Sequence, residues 1–228
     1  MDITTNRLTA AAGLCAAAAG AIFIGVQINH PPADVAHIAT TEMAVRETAK
    51  TIMAVLSLAG FAGMFLYNRR RFGVLGLAGY LLLSVGYLAL FAVQVIVAAV
   101  LPTVAKTDPG YVQDFIDAAM GNSPAGDIGG MQIVFNVSGA GYIVGGLLFG
   151  IALFRAGILA RWASLLLAVA TVSTAALAVL PDSFSRPMAV PMGIALIGLG
   201  VSLWRTQTRT ATTTTTATTA SVEPSPVR

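Results

Sequence analysis

Six apolar stretches, each long enough to cross a lipid bilayer, make up most of this chain. They lie at about residues 8–28, 50–67, 74–101, 132–154, 164–181 and 187–204. Because a helix rises 1.5 Å per residue, roughly 20 apolar residues span the ~30 Å hydrocarbon layer. Hydrophobic residues account for 56% of the sequence and charged residues for only 10%, unlike a soluble globular domain. The sequence therefore predicts an all-α fold, a polytopic bundle of six transmembrane helices in the inner (plasma) membrane.

Positively charged residues are distributed unevenly over the connections between these stretches. One side carries eight of them, Arg7, Arg69, Arg70, Arg71, Arg155, Arg161, Arg205 and Arg209. The other side carries four, Arg46, Lys50, Lys106 and Arg186. Because Lys and Arg in short connections stay in the cytoplasm, both termini are predicted to be cytoplasmic. The formal net charge of +3 arises from these orientation signals, so we expect no nucleic-acid partner.

Residues 205–228 differ in character from the rest of the chain. They are rich in Thr and poor in apolar side chains. A segment of this composition cannot bury a core. The sequence therefore predicts a transmembrane domain, residues 1–204, followed by a disordered cytoplasmic tail, residues 205–228.

The two long outer connections carry helix signals of their own. Asp108 followed by Pro109 is typical of a helix start, and Gly121 marks its end, which predicts a short amphipathic helix over the outer face. In the first connection, Glu42 and Arg46 are four residues apart, as in a helical ion pair. We expect the second apolar helix to continue from that turn without a break.

Uncharged polar residues gather near the outer ends of the apolar stretches. Gln27 ends the first stretch, and Gln94 lies about two turns below the outer end of the third. Gln132 and Asn136, four residues apart and so on one helix face, open the fourth. One interpretation is a small outward-facing pocket that binds a solute. The alternative is a set of hydrogen bonds between helices, worth about 0.6 kcal/mol each.

Glycines recur at a spacing of four in the fourth stretch. Gly141 with Gly145, and Gly146 with Gly150, form faces on which another helix can approach closely. These glycines are predicted to serve helix packing. The contacts are either between helices of one chain or across a homodimer.

The sequence offers few groups for catalysis or metal binding. His30, Asp34 and His37 have helical spacing, but the prolines after His30 interrupt the helix, and we predict no metal site. Inside the apolar stretches there is no His for haem, no acidic residue for proton coupling and no Ser–His pair. The chain also has no phosphate-binding Gly-Lys-Ser/Thr loop. We therefore predict a protein that is not an enzyme and has no cofactor.

Several segments carry a resemblance to known sequences. They are residues 30–32, 46–50, 73–87, 127–130, 153–162 and 186–205. In these segments the chain resembles a group of uncharacterised small six-pass membrane proteins of actinobacteria. The preference for Ala, Gly and Arg over Lys suits a GC-rich genome of that kind. The resemblance implies a membrane location and assigns no catalytic or binding residue.

Two functional classes follow from these patterns. The glycine faces and the charge-free apolar stretches predict an accessory or assembly protein that acts through helix–helix contacts. Its partners would be the lipid bilayer, a second copy or other membrane proteins. The alternative is a small transporter or binding protein for a neutral or apolar solute, which uses the outward-facing set Gln27, Gln94, Gln132 and Asn136.

Overall fold

The computed structural model describes residues 5–178 and 187–220, with side chains described over 5–176 and 187–208. All regular elements in these ranges are helical. In chain order they are α1 (Thr5–Gly25), α2 (Thr41–Ala99), α3 (Leu101–Val104), α4 (Pro109–Ala119), α5 (Met131–Ala156), α6 (Arg161–Ser173) and α7 (Ala189–Ala220). A 3₁₀ turn, Thr174–Ala178, extends α6.

Four of these helices are long and apolar enough to cross a membrane. They are α1, α2, α5 and the part of α7 over Ala189–Thr208, while α6 is apolar but shorter. A helix satisfies its backbone hydrogen bonds internally, which a bilayer requires of any spanning segment. Length and composition together thus indicate a membrane protein, as the sequence predicts.

The longest helix, α2, is a hairpin. At Gly73 the backbone has φ 56° and ψ −158°, a conformation that in practice only glycine adopts. The ring centroids of Phe61 and Tyr87 are 4.9 Å apart, although a straight helix would separate these residues by about 39 Å. The chain therefore folds back at Gly73 into a first arm, residues 41–72, and a second arm, residues 74–99.

The helices pack side by side in chain order, and α7 closes the arrangement against α1. A Cβ placed on Gly13 of α1 would lie 2.7 Å from the carbonyl oxygen of Gly200 in α7. Near the other end of the pair, one on Gly193 would lie 2.8 Å from the carbonyl oxygen of Gly20. Since residue numbers rise along α1 while those of its contacts in α7 fall, the two helices are antiparallel.

Each of the four glycines in α5 predicted to serve packing lies against another helix of the same chain. A Cβ on Gly141 would be 2.7 Å from Cα of Gly86, and one on Gly145 would overlap the backbone of the second arm. Gly146 and Gly150 face α6, against Thr171 and Ala168. Both glycine faces are therefore used inside the bundle.

Aromatic rings fill the centre between α2 and α5. Phe61 meets Phe149 edge to face, with centroids 5.9 Å apart, and Phe149 meets Phe72 at 5.7 Å. Such edge-to-face pairs contribute about 0.5–1.5 kcal/mol beyond their buried area. The rings of Phe61 and Phe149 are fully buried.

The predicted short helix over the outer connection is confirmed as α4. The Asp108 side chain accepts a hydrogen bond from the Tyr111 backbone N–H at 2.9 Å, which caps the helix start. Val112, Phe115 and Ile116 are buried on its inner face. The Phe115 ring packs edge to face on Phe135 of α5, so α4 covers one end of the bundle.

The two ends of the bundle differ in charge. At the arginine end, Arg71 Nη1 donates to the Ala156 carbonyl oxygen, and Gly13 lies beside Trp204. The cations there whose side chains are described are Arg7, Arg69, Arg70, Arg71, Arg155, Arg161 and Arg205. The opposite end, the acidic end, holds every acidic residue in the described ranges, namely Asp34, Glu42, Glu47, Asp108, Asp114, Asp117 and Asp127.

The predicted fifth stretch, 164–181, ends outside the described residues, and Asp182 and Arg186 also lie outside them. Helix α7 continues past residue 204 to Ala220, so the first part of the Thr-rich segment is helical; residues 221–228 lie outside the described ranges. Adding residues to an existing helix costs less free energy than starting a new one. Within this helix the Thr206 hydroxyl also donates to the Ser202 carbonyl oxygen at 2.8 Å.

We predict that Gly145→Ala destabilises the bundle by about 2 kcal/mol, because the new methyl group would overlap the backbone at Leu83. This corresponds to a fall of about 4–8 °C in the melting temperature. The matched control is Gly139→Ala on the same helix, where a Cβ meets nothing within 4 Å. Thermal unfolding followed by circular dichroism in detergent checks both variants. Equal melting temperatures for the two variants would contradict the close contact.

Candidate functional site

A cavity of about 930 Å³ lies inside the bundle at the acidic end. Helix α1, both arms of α2, α4 and α5 form most of its wall. The deepest wall residue on the second arm is Gly86, which contacts Gly141 of α5. Because Gly86 lies 13 residues before Ala99, the end of α2, the cavity reaches about 20 Å into the bundle. We call it the acidic-end cavity.

All four amide residues predicted as a binding set line this cavity. Gln27 comes from the turn that follows α1, and Gln94 comes from the second arm of α2. Gln132 and Asn136 lie in the first two turns of α5. The fold thus brings together side chains from three parts of the chain that are far apart in sequence.

Within the described residues, none of these four amides hydrogen-bonds from one helix to another. Gln132 Nε2 donates to Asn136 Oδ1 at 3.2 Å, but both belong to α5. The side-chain amides of Gln27 and Gln94 line the cavity without a hydrogen bond to the described protein groups. This geometry disfavours the interpretation in which the amides hold helices together. Their donors and acceptors are instead available to a solute.

Three ionisable side chains meet in the same wall. Glu47, on the first arm of α2, is only 3% exposed. Its Oε1 lies 2.5 Å from Lys50 Nζ and 3.6 Å from His30 Nε2. The other ring nitrogen of His30, Nδ1, is 2.8 Å from the Pro31 carbonyl oxygen. A carboxylate this deeply buried is stable only when it is paired, and Lys50 supplies the opposite charge.

The second oxygen of this carboxylate, Glu47 Oε2, is buried and accepts no hydrogen bond from the described residues. A buried acceptor without a donor costs about 1–3 kcal/mol. Glu47 lines the acidic-end cavity, which is the open space from which a further donor could approach this carboxylate. Glu47 is therefore a candidate contact for a bound molecule.

The roof of the cavity is held by Arg46. Its Nη1 donates to the carbonyl oxygens of Val26 at 3.0 Å and Ile28 at 2.9 Å, and Nη2 donates to that of Asn29 at 3.1 Å. The same guanidinium pairs with Glu42 at 2.8 Å. These bonds satisfy carbonyl groups just beyond the end of α1, which lack helical partners. Arg46 thus fixes the turn that places Gln27 and His30 in the wall.

Asp34 and His37 form a local pair in the connection between α1 and α2. His37 Nδ1 lies 2.7 Å from Asp34 Oδ1, and the His37 backbone N–H donates to the same oxygen. The hydrogen bond from the His37 ring holds the pKa of the Asp34 carboxyl below its usual value. His30 points instead to Glu47, so the three residues do not converge. No group of three metal-ligating side chains occurs among the residues that the structure describes.

The sequence prediction missed the buried ion pair. It did not single out Glu47 among the residues of this turn, next to Glu42 and Arg46. A helical signal was present, because Met43, Glu47 and Ala54 follow at intervals of four and seven residues and all three are buried. An acidic residue in register with an apolar face is the pattern that marks a buried carboxylate.

Comparison with known proteins gives no further guide to this site. No family model, no curated protein and no solved structure matches the chain. The chemistry of the cavity is therefore inferred from its own wall.

We predict that Glu47→Gln lowers stability by about 2 kcal/mol, because it leaves Lys50 unpaired in a largely buried position. The apparent melting temperature should fall by about 4–8 °C. The control is Glu42→Gln, which removes a carboxylate that is 57% exposed and should change stability by less than about 1 kcal/mol. Thermal unfolding in one detergent compares the two. If both variants melt at the same temperature, the Glu47 pair is not the buried interaction described here.

Proposed function

We propose that this protein crosses the plasma membrane six times, with both termini in the cytoplasm. The fold-back at Gly73 supports two crossings for α2, and α6 with its 3₁₀ extension supplies another. The cation distribution supports the orientation, because the described arginines of the arginine end face one side. Lys and Arg near the ends of spanning helices favour the cytoplasm. The acidic-end cavity then opens toward the outside.

We further propose that the protein binds a small amphipathic solute of no net charge in the acidic-end cavity, as a binding protein or a transporter. One observation carries this proposal: the amides of Gln27, Gln94, Gln132 and Asn136 line one cavity and, among the described residues, make no hydrogen bond between helices. At about 930 Å³ the cavity is within the size range of small-molecule sites, ~300–1,000 Å³.

The composition of the wall sets the kind of solute. Apolar side chains such as Phe23, Leu90 and Phe135 supply most of the lining. The charge of Glu47 is balanced by Lys50, so the wall offers no excess charge for an ion. A molecule with an apolar body and a few hydroxyl, carbonyl or amide groups matches this surface. The role we propose is binding, without catalysis.

The accessory role predicted from the glycine faces has less support from the geometry. Gly141 and Gly145 lie against the second arm of α2, while Gly146 and Gly150 lie against α6. These faces are covered within one chain and are not free for a second copy. The glycine contacts from which an assembly role was predicted thus serve to pack the helices of one chain against each other.

Native mass spectrometry of the protein released from lipid nanodiscs tests the proposal. We expect the wild type to carry a defined small-molecule mass and the double variant Gln94→Leu/Asn136→Leu to bind it about tenfold more weakly, through the loss of two hydrogen bonds. The melting temperature should stay within a few degrees of the wild type, because neither amide joins two helices.

The matched control is Gln113→Leu, which removes an amide of α4 that bonds Asp117 and does not line the cavity. This variant should keep the bound mass. A wild type that carries no small molecule, or equal occupancy in the wild type and the double variant, would contradict a solute site in this cavity.

A further inference from the structure

A second concave surface lies at the opposite end of the molecule, between α6 and α7. This groove has a volume of about 750 Å³. Its described lining includes Trp162 of α6 and Ile194, Ile197, Val201, Arg205 and Thr206 of α7. We call it the α6–α7 groove. It shares no lining residue with the acidic-end cavity.

Two local features shape the α6–α7 groove. The Ala160 backbone N–H donates to Ser202 Oγ at 3.0 Å, which ties the start of α6 to α7. Next to this bond α7 has Gly198, where a Cβ would meet the Trp162 ring at 2.5 Å. The Trp162 indole therefore packs on the α7 backbone at Gly198 and remains 58% exposed. The hydrogen bond thus fixes α6 against α7 along one side of the groove, and the groove opens to the outside of the bundle.

The groove is apolar along its length and cationic at one end. Ile194, Ile197 and Val201 follow one face of α7 and lead to Arg205. The 11 residues from Ile194 to Arg205 rise about 16 Å. One leaflet of a ~30 Å hydrocarbon layer is about 15 Å thick. The apolar part therefore matches the depth of a single leaflet, with the guanidinium at the level of the headgroups.

The positive charge around the mouth of the groove has no acidic partner in the part of the chain that the structure describes. Arg205 is exposed, and every acidic side chain in the described ranges belongs to the acidic end. The guanidinium of the nearby Arg161 lies 4.8 Å from the centroid of the Phe154 ring. A basic pocket between spanning helices on the cytoplasmic side attracts anionic lipid headgroups. Trp162 at the same level is typical of a membrane interface.

We propose that the α6–α7 groove binds one anionic phospholipid of the cytoplasmic leaflet. The phosphate group lies at Arg205 with the Thr206 hydroxyl beside it, and one acyl chain follows Val201, Ile197 and Ile194. The indole of Trp162 covers the glycerol region. This inference rests on the proposed membrane orientation, but it is independent of the solute cavity at the acidic end.

The test compares two lipids with identical acyl chains, anionic phosphatidylglycerol and zwitterionic phosphatidylcholine. Each is added to the delipidated full chain in detergent, and bound lipid is counted by native mass spectrometry. We expect one phosphatidylglycerol to be retained under conditions that remove phosphatidylcholine. Arg205→Gln should weaken this binding about fivefold, since one cation near anionic lipid contributes on that scale. Val201→Trp, which fills the groove, should abolish it.

The matched control is Arg69→Gln, which removes an exposed arginine of the same end outside the groove and should retain the lipid. Glycerophosphoglycerol, the headgroup without acyl chains, should not displace the lipid. Equal retention of the two lipids would overturn the proposal, as would unchanged binding in both Arg205→Gln and Val201→Trp. Displacement by the free headgroup alone would also overturn it, because it would mean that the site recognises phosphate and not a lipid.

Discussion

Close backbone contact at glycine is the interaction on which this bundle depends. In a bilayer, lipid tails compete equally well for apolar side chains, so helices associate where small residues let their backbones approach. Gly13 and Gly200 join α1 to α7, while Gly86 and Gly141 join the second arm of α2 to α5. The acidic-end cavity begins beyond that second contact, where larger polar and apolar side chains replace glycine. The acidic-end cavity therefore forms where the helices are no longer packed closely at glycine.

The two ends of the molecule use charge in different ways. At the acidic end, Glu47 and Lys50 neutralise each other in the cavity wall, and Arg46 fixes the turn above them. At the arginine end the described cations have no acidic partners and remain free to interact with the membrane surface. A buried balanced pair suits a neutral solute, and an exposed excess of arginine suits anionic lipid.

Much of the fold could be predicted from local sequence, because apolar length, glycine spacing and the Asp108 cap act within a few residues of one another. Helix register also gave a common depth for the four amides, and all four line the acidic-end cavity. The burial of Glu47 could not be read from the charges around it, because it depends on the turn after α1, which Arg46 holds in place. Helix α7 passes the predicted start of the Thr-rich tail because an existing helix is easily extended.

The placement of the cavity on the outer face of a six-crossing protein is the central claim, and cysteine labelling in intact cells tests it most directly. Single cysteines at Asn122, in the cavity wall, and at Val74, 84% exposed beside the Gly73 turn, are introduced into a Cys15→Ala background. A membrane-impermeant maleimide should label position 122 in intact cells and position 74 only after permeabilisation. Labelling of position 74 from outside, or its protection in both conditions, would contradict the account.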